Sequence, residues 1–198
     1  MFCFSQLIGD YKIDKETKEI VFSDNVDLLI SSPMKEFINQ LINALLLNDS
    51  IMLHRKELIV KSLNIFEEKV NESTVKVKSL SPITVYSTLY KADGSKYTCY
   101  FSPMEKDFNI LISENIYKKY KAYFGKEPQE KQLSIKPIGK CKLHVLNYKT
   151  TLIKGYTGTF LLEGDTELIN LALDTGLGGK NSQGFGFIKR IPMRDFHN

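Results

Sequence analysis

The residue types that most often carry chemistry are scarce in this chain of 198 residues. Its cysteines, Cys3, Cys99 and Cys141, are odd in number and far apart, which excludes a disulfide framework and a zinc knuckle. Its histidines, His54, His144 and His197, share no ligand spacing, so neither a metal nor another cofactor is expected. No apolar run approaches the roughly 18 residues that span a bilayer, and no basic-then-apolar leader opens the sequence. The expectation is a soluble, cytoplasmic protein without a membrane partner. Arginine is nearly missing, 3 residues against 24 lysines. That balance favours a diffuse phosphate footprint over bidentate reading of guanine.

Acid is absent where base is dense. Residues 1–72 hold 8 basic and 12 acidic side chains, whereas residues 73–198 hold 19 and 11, so the two parts stand at −4 and +8. Between Lys131 and Leu162 there is no acid, yet there are six lysines: Lys131, Lys136, Lys140, Lys142, Lys149 and Lys154. A solvated strand face usually mixes signs. A stretch of one sign points to a polyanion, with an acidic protein or simple solubility as the other readings.

Alternation and punctuation divide the chain at the same place as charge. Residues 2–13 and 19–30 read as a hairpin around a polar turn. Ser32 and Pro33 then open a helix with Ser32 at its N-cap and an apolar stripe of Phe37, Ile38, Leu41, Ile42 and Leu45, ending near Asn48. Residues 51–66 return as one or two strands. In the second part, a strand from Thr74 to Tyr90 breaks at Ser81-Pro82, and a turn at residues 92–95 leads into Tyr97–Phe101. A long helix over Pro103–Phe124 turns Phe108, Leu111, Ile112, Ile116, Tyr120 and Phe124 inward and stops at Gly125. Tyr117, Tyr120 and Tyr123 read as packing residues. Leu133–Ile138, Lys140–Tyr148 and Thr151–Leu162 read as strands. Asp165 caps a helix with Leu168, Ile169, Ala172 and Leu173 on one face, and Gly176 ends it. Strand, helix, strand, strand, helix, strand is the ferredoxin-like unit. The fold class is therefore α+β, with tandem ferredoxin-like (RRM-like) domains at residues 1–72 and 73–198, the first lacking its opening strand and helix. An exposed apolar groove near Leu41 and Leu45 is expected where those elements would pack.

One stretch is hard to explain as packing: Gly176-Leu177-Gly178-Gly179-Lys180-Asn181-Ser182-Gln183-Gly184-Phe185-Gly186-Phe187. It follows a helix and enters a strand, the reverse of a phosphate-binding loop that follows a strand and opens a helix. Such a loop can bring bare N–H groups at Gly176, Gly178, Gly179, Gly184 and Gly186, the Lys180 ammonium, and the short polar side chains of Asn181, Ser182 and Gln183 to a phosphodiester chain or another backbone. By composition alone a flexible connection serves equally well.

From Thr175 to Phe187 the string closely resembles the C-terminal glycine-rich loop of the RAMP superfamily, and within it the CRISPR-associated endoribonucleases that cut repeat RNA into guide precursors. Phe2-Cys3-Phe4-Ser5, Ser79-Leu80-Ser81-Pro82-Ile83 and Thr157-Gly158-Thr159-Phe160-Leu161-Leu162 resemble further segments of that family. The resemblance implies two tandem ferredoxin-like domains and CRISPR repeat RNA as the partner, and it allows a second copy of the chain or effector-complex proteins as others. It also implies metal-independent cleavage by the RNA 2'-hydroxyl, leaving a 2',3'-cyclic phosphate and a 5'-hydroxyl. On it, the residues expected at the RNA are Gly176, Gly178, Gly179, Lys180, Asn181, Ser182, Gln183, Gly184 and Gly186, with Lys136, Lys140, Lys142, Lys149 and Lys154 from the basic segment. The family's usual histidine lies upstream of the segment matching Phe2–Ser5, so no catalytic residue is assigned here. The alternative is a non-catalytic RNA-binding relative or effector-complex subunit. His54 reads as a turn residue, His144 as part of the basic strand, and His197 as a frayed end. Gly184-Phe185-Gly186-Phe187-Ile188 also resembles part of the RRM stacking motif, but Gln183 and Arg190 depart from it, and Phe185 and Phe187 read as strand packing residues.

Overall fold

The computed structural model describes residues 1–192 apart from Lys18, Asp49, His54, Lys149 and Thr150. His54, Lys149 and His197 thus lie outside the described residues. The first part opens as one interrupted antiparallel hairpin, as its alternation predicts. Strands β1 (Cys3–Phe4) and β4 (Ile30–Ser31) pair at one end, β2 (Tyr11–Ile13) and β3 (Ile20–Phe22) pair at the turn, and a bridge between Ile8 and Asp27 lies between them.

Helix α1 (Lys35–Leu47) begins later than the sequence predicts. Met34 is its N-cap, and Ser32 instead accepts the Met34 amide at 3.1 Å, so Ser32 shapes the turn before the helix. The predicted stripe of Phe37, Ile38, Leu41, Ile42 and Leu45 is the half-buried face, and no side chain of α1 is fully buried. Strands β5 (Ser50–Leu53) and β6 (Lys56–Ile59) pair only with each other among the described residues. The strand expected as far as Phe66 ends at Ile59, and Ile65 and Phe66 are left 70% and 81% exposed.

From Thr74 onward the order matches the ferredoxin-like reading. Strand β7 (Thr74–Ser79) is followed by an inserted hairpin, β8 (Tyr86–Tyr90) and β9 (Lys96–Tyr100), then α2 (Lys106–Phe124), β10 (Leu133–Tyr148), β11 (Thr151–Gly164), α3 (Thr166–Thr175) and β12 (Ile188–Arg190). The antiparallel sheet runs β10-β11-β7-β12, the strand order of that fold. The two strand segments predicted over residues 133–148 are one strand with a register shift between Ile138 and Lys142. Helix α2 begins at Lys106, since Pro103 and its neighbours form a turn closed by the Glu105 amide on Ser102 O.

One core holds this half together. Val75, Val77, Ile135, Phe160 and Leu162 line the sheet face under the helices, facing Phe108, Ile112, Ile116 and Tyr120 of α2 and Leu168, Ile169, Ala172 and Leu173 of α3. Each fully buried large side chain contributes about 1.5–3 kcal/mol. Asp165 caps α3 through the amides of Glu167 and Leu168, and Gly176 ends it. Phe124, predicted inward, is 47% exposed because the helix ends one residue later at Gly125. Tyr120 is buried and donates to Glu167 at 2.7 Å, and Tyr123 donates to Pro33 O at 2.8 Å, joining the two parts.

Candidate nucleic-acid interface

The glycine loop has a buried neck and an exposed tip. Gly176, Leu177, Gly178, Phe185, Gly186 and Phe187 are buried, whereas Ser182 and Gln183 are exposed and Gly179, Lys180, Asn181 and Gly184 are half-buried. Backbone approach explains the glycines of the neck. A Cβ on Gly178 would collide with Thr84 O, and one on Gly186 with Leu177 O. The amides of Gly176, Gly179, Gly184 and Gly186 donate to Ala172, Thr84, Asn181 and Pro82 carbonyls. The expectation of bare N–H groups along the whole loop is therefore corrected, because these four are already bonded within the chain. Phe185 and Phe187 are packing residues, but of the neck, since β12 begins only at Ile188.

Asn181 is also corrected. Its side chain turns inward: Nδ2 donates to Leu177 O and Phe185 O, both at 3.1 Å, and Oδ1 accepts from Lys119 Nζ at 2.8 Å. The outward polar groups are Lys180, Ser182 and Gln183. Lys180 is the one non-glycine residue with positive φ among the described residues, at 60°. Its ammonium lies 5.5 Å from the centre of the Tyr86 ring, within cation–π range.

The second predicted segment is the ribbon made by residues 140–157 of β10 and β11, which extends past the end of β7. Thr84 joins it to the loop. The Gly179 amide donates to Thr84 O at 2.9 Å, while Thr84 Oγ1 donates to Lys154 O at 2.8 Å. Ile83 exchanges both backbone bonds with Tyr156. Loop, residues 83–84 and ribbon thus form one hydrogen-bonded layer, with the backbones at 179 and 154 two strand spacings, about 10 Å, apart. Tyr100, opposite Tyr86 in the inserted hairpin, donates to Leu152 O at 3.0 Å and supports the same junction.

The lysines of the basic segment do not share one face. Cross-strand partners point the same way, and the register pairs Lys136 with Leu161, Lys142 with Thr157 and Lys154 with Val145. Along β11 residues 157 and 161 share a face that 154 does not. Lys136 and Lys142 therefore lie on one side and Lys154 on the other. Lys140, at the register shift, is exposed. Lys136 is ion-paired with Glu163 at 2.6 Å. His144 Nε2 meets Thr157 Oγ1 at 2.8 Å, and burial together with nearby Lys142 holds its pKa below the usual histidine value.

Sequence reading missed a second basic surface. Lys189 stands directly opposite Lys78, and Lys76 is separated from Lys136 by Leu161 alone. These four lysines lie on the sheet face away from the helices. The alternation Val75-Lys76-Val77-Lys78 in β7 carries the signal, because period two puts both lysines opposite the core valines. It also missed Lys119. That lysine sits beneath the loop neck and donates to Gly176 O at 2.6 Å, Asn181 Oδ1 at 2.8 Å and Thr175 O at 3.5 Å.

Comparison with known proteins converges on one family. The model of CRISPR associated protein Cas6, C-terminal, matches residues 65–190. The chain is 28% identical over 209 residues to CRISPR-associated endoribonuclease Cas6 2 of Methanocaldococcus jannaschii, covering 96% of this chain and 80% of the relative. It is 31% identical over 165 residues to CRISPR-associated endoribonuclease Cas6 of Pyrococcus furiosus, covering 80% of this chain and 58% of the relative. Among solved structures, the product of a Cas6-related gene from Pyrococcus furiosus superposes with a TM-score of 0.88 at 25% identity, over 98% of this chain and 79% of the other.

Proposed function

Because the chain belongs to the Cas6 family of CRISPR-associated proteins, we propose that it binds precursor CRISPR RNA at its repeats and serves their cleavage. The observation that carries this reading is the junction at Thr84, which makes neighbours of the glycine loop and the lysine ribbon. An RNA strand crossing that layer meets Lys180, Ser182 and Gln183 at one end and, at the other, one ribbon lysine according to the face it follows, Lys142 on one side or Lys154 on the other. The lysines supply phosphate attraction, and Tyr86, 37% exposed beside Lys180, offers a ring on which a base can stack. We read residues 1–72 and 73–198 as tandem units.

The cleavage we assign is attack of the RNA 2'-hydroxyl on the adjacent phosphorus without a metal, giving a 2',3'-cyclic phosphate and a 5'-hydroxyl. That chemistry needs a base at the nucleophile, an acid at the leaving oxygen and cations around the phosphorane. The described residues named here hold and neutralise the phosphates, and we assign none of them the acid or base role.

The test is to titrate the chain into labelled repeat RNA in EDTA over a series of salt concentrations. Tight binding that weakens steeply with salt is expected, with a logarithmic slope of about −0.7 for each phosphate neutralised on a single strand. Products ending in a cyclic phosphate mark cleavage. Binding without products assigns the chain a non-catalytic role, and repeat RNA that fails to bind at low salt overturns the reading.

A further inference from the structure

Lys119 has no function in the binding surface described above, and its surroundings are unusual for a lysine. Its ammonium is turned inward and has no carboxylate within ion-pairing distance among the described residues. Its acceptors are two carbonyls at the C-terminal end of α3 and the amide oxygen of Asn181. The C-terminal end of a helix carries partial negative charge, so a cation there is favoured. Three acceptors match the three protons of an ammonium.

Asn181 carries that anchoring into the loop. With Oδ1 held by Lys119, its Nδ2 is oriented to donate to Leu177 O on one arm of the loop and Phe185 O on the other. The Leu177 amide closes the same neck on Gly186 O at 2.9 Å. Directly before Asn181, the chain turns through Lys180 in the left-handed conformation, which L side chains rarely adopt. Something must hold that turn, and the Asn181 amide, tied at all three of its polar contacts, is the group placed to do so.

We propose that Lys119 is a positioning residue for RNA: acting through Asn181, its ammonium fixes the loop tip in the shape that presents Lys180, Ser182 and Gln183 to the phosphodiester chain. The proposal rests on the RNA-binding reading of the loop. A neutral amine has only two protons for three acceptors and no charge for the helix end, so tip order follows the protonation of Lys119. Burial brings its pKa down to about 8, with Cys3 of β1 the titratable group beside it. Cys3 itself is pushed up to about 12 by burial and stays a neutral thiol through this range, while Asp174 of α3 acts on Cys3.

The experiment uses the full chain and labelled repeat RNA, with dissociation constants measured by fluorescence anisotropy from pH 6.5 to 9.5. The variants are Lys119→Met, Lys119→Arg, Asn181→Ala and Lys180→Ala, each melted in parallel. Hydrogen exchange of residues 176–187 is followed with and without RNA. The wild type is expected to lose affinity about tenfold across pH 8 while its melting temperature does not fall, the loss expected for one charge-assisted hydrogen bond. Lys119→Met should bind about tenfold more weakly at pH 7, show no pH step and exchange faster in the loop, and Lys119→Arg should recover part of the affinity. Asn181→Ala should reproduce the Lys119→Met binding, and it serves in its place if that variant does not fold. A folded Lys119→Met or Asn181→Ala with wild-type affinity and pH profile overturns the proposal. If Lys180→Ala weakens binding while those two do not, the positioning role fails and the RNA surface stands. If the wild type itself does not bind, the surface reading has failed first.

Discussion

The ring of Phe4 lies 2.9 Å from the position a Cβ on Gly184 would occupy. The first strand of the chain therefore packs directly against the tip of the loop near its other end. Gly184 has φ 85° and Gly186 φ 75°, but the two differ in what a methyl group would meet. At Gly184 it meets a side-chain ring that can rotate away. At Gly186 it meets the Leu177 carbonyl and the Asn181 amide. Gly184→Ala is expected to destabilise the fold by about 1–2 kcal/mol, the cost of the left-handed backbone alone. Gly186→Ala should cost more than about 3 kcal/mol, since backbone must move as well. Urea unfolding of both variants checks the order, and equal losses would mean that the Leu177 carbonyl yields as easily as a ring.

Lys180 is the tip cation, and its removal has a signature distinct from misfolding. Lys180→Ala should weaken repeat RNA binding severalfold near 0.1 M salt and lower the salt slope by about 0.7, the contribution of one phosphate. The melting temperature should hardly change, because the residue is half-buried at a loop tip and its described contact is the Tyr86 ring. An unaltered slope would remove Lys180 from the RNA contact.

Like charges face each other across β7 and β12. Lys78 and Lys189 are directly paired in register and both are exposed, an arrangement that costs about 0.2–1 kcal/mol relative to a neutral pair. Lys189→Glu replaces repulsion by attraction and should stabilise the free protein by a similar amount. Chemical denaturation measures this directly. Running the same variant in the RNA titration tells whether the sheet face carries phosphate, since reversal of one charge there should weaken binding if it does.

Local signals were enough to read most of the second half. The Asp165 cap, the Gly176 stop and the apolar faces of α2 and α3 are all set by residues within a few positions of each other, and each stands where the spacing puts it, Phe124 at the end of α2 excepted. The sheet order followed because six elements in that sequence have one common arrangement. Lys119 was not legible for the opposite reason. Tyr117-Lys118-Lys119-Tyr120 looks like a solvated lysine pair, and only the approach of residues 175–181 half-buries one of the two. Asn181 reads as an outward polar side chain until the Leu177 and Phe185 carbonyls are seen on either side of it. The first half was harder still, because among the described residues its short strands form separate two-stranded pairs, which no alternation reports.

Asp174 and Lys119 set a further pH dependence, and their signs combine. Burial, partly offset by Lys69, pushes the Asp174 carboxyl up to about 6 from its ordinary 3.8. Between those values the folded chain binds more protons than the unfolded one, so the stability contributed by Asp174 falls as pH rises from 4 to 6. Lys119 has the opposite displacement, about 8 against 10.5. The unfolded chain binds more protons in that window, and stability rises with pH above 8. From pH 6 to 8 both groups are charged and incompletely compensated, so their joint contribution is least favourable there. Asp174→Asn keeps the shape and removes the charge. It should raise the urea midpoint at pH 7 and leave it nearly unchanged at pH 4, where the wild-type carboxyl is already mostly protonated in the folded chain. A midpoint lowered at pH 7 would show that the carboxylate is stabilised by Lys69 more than burial disfavours it.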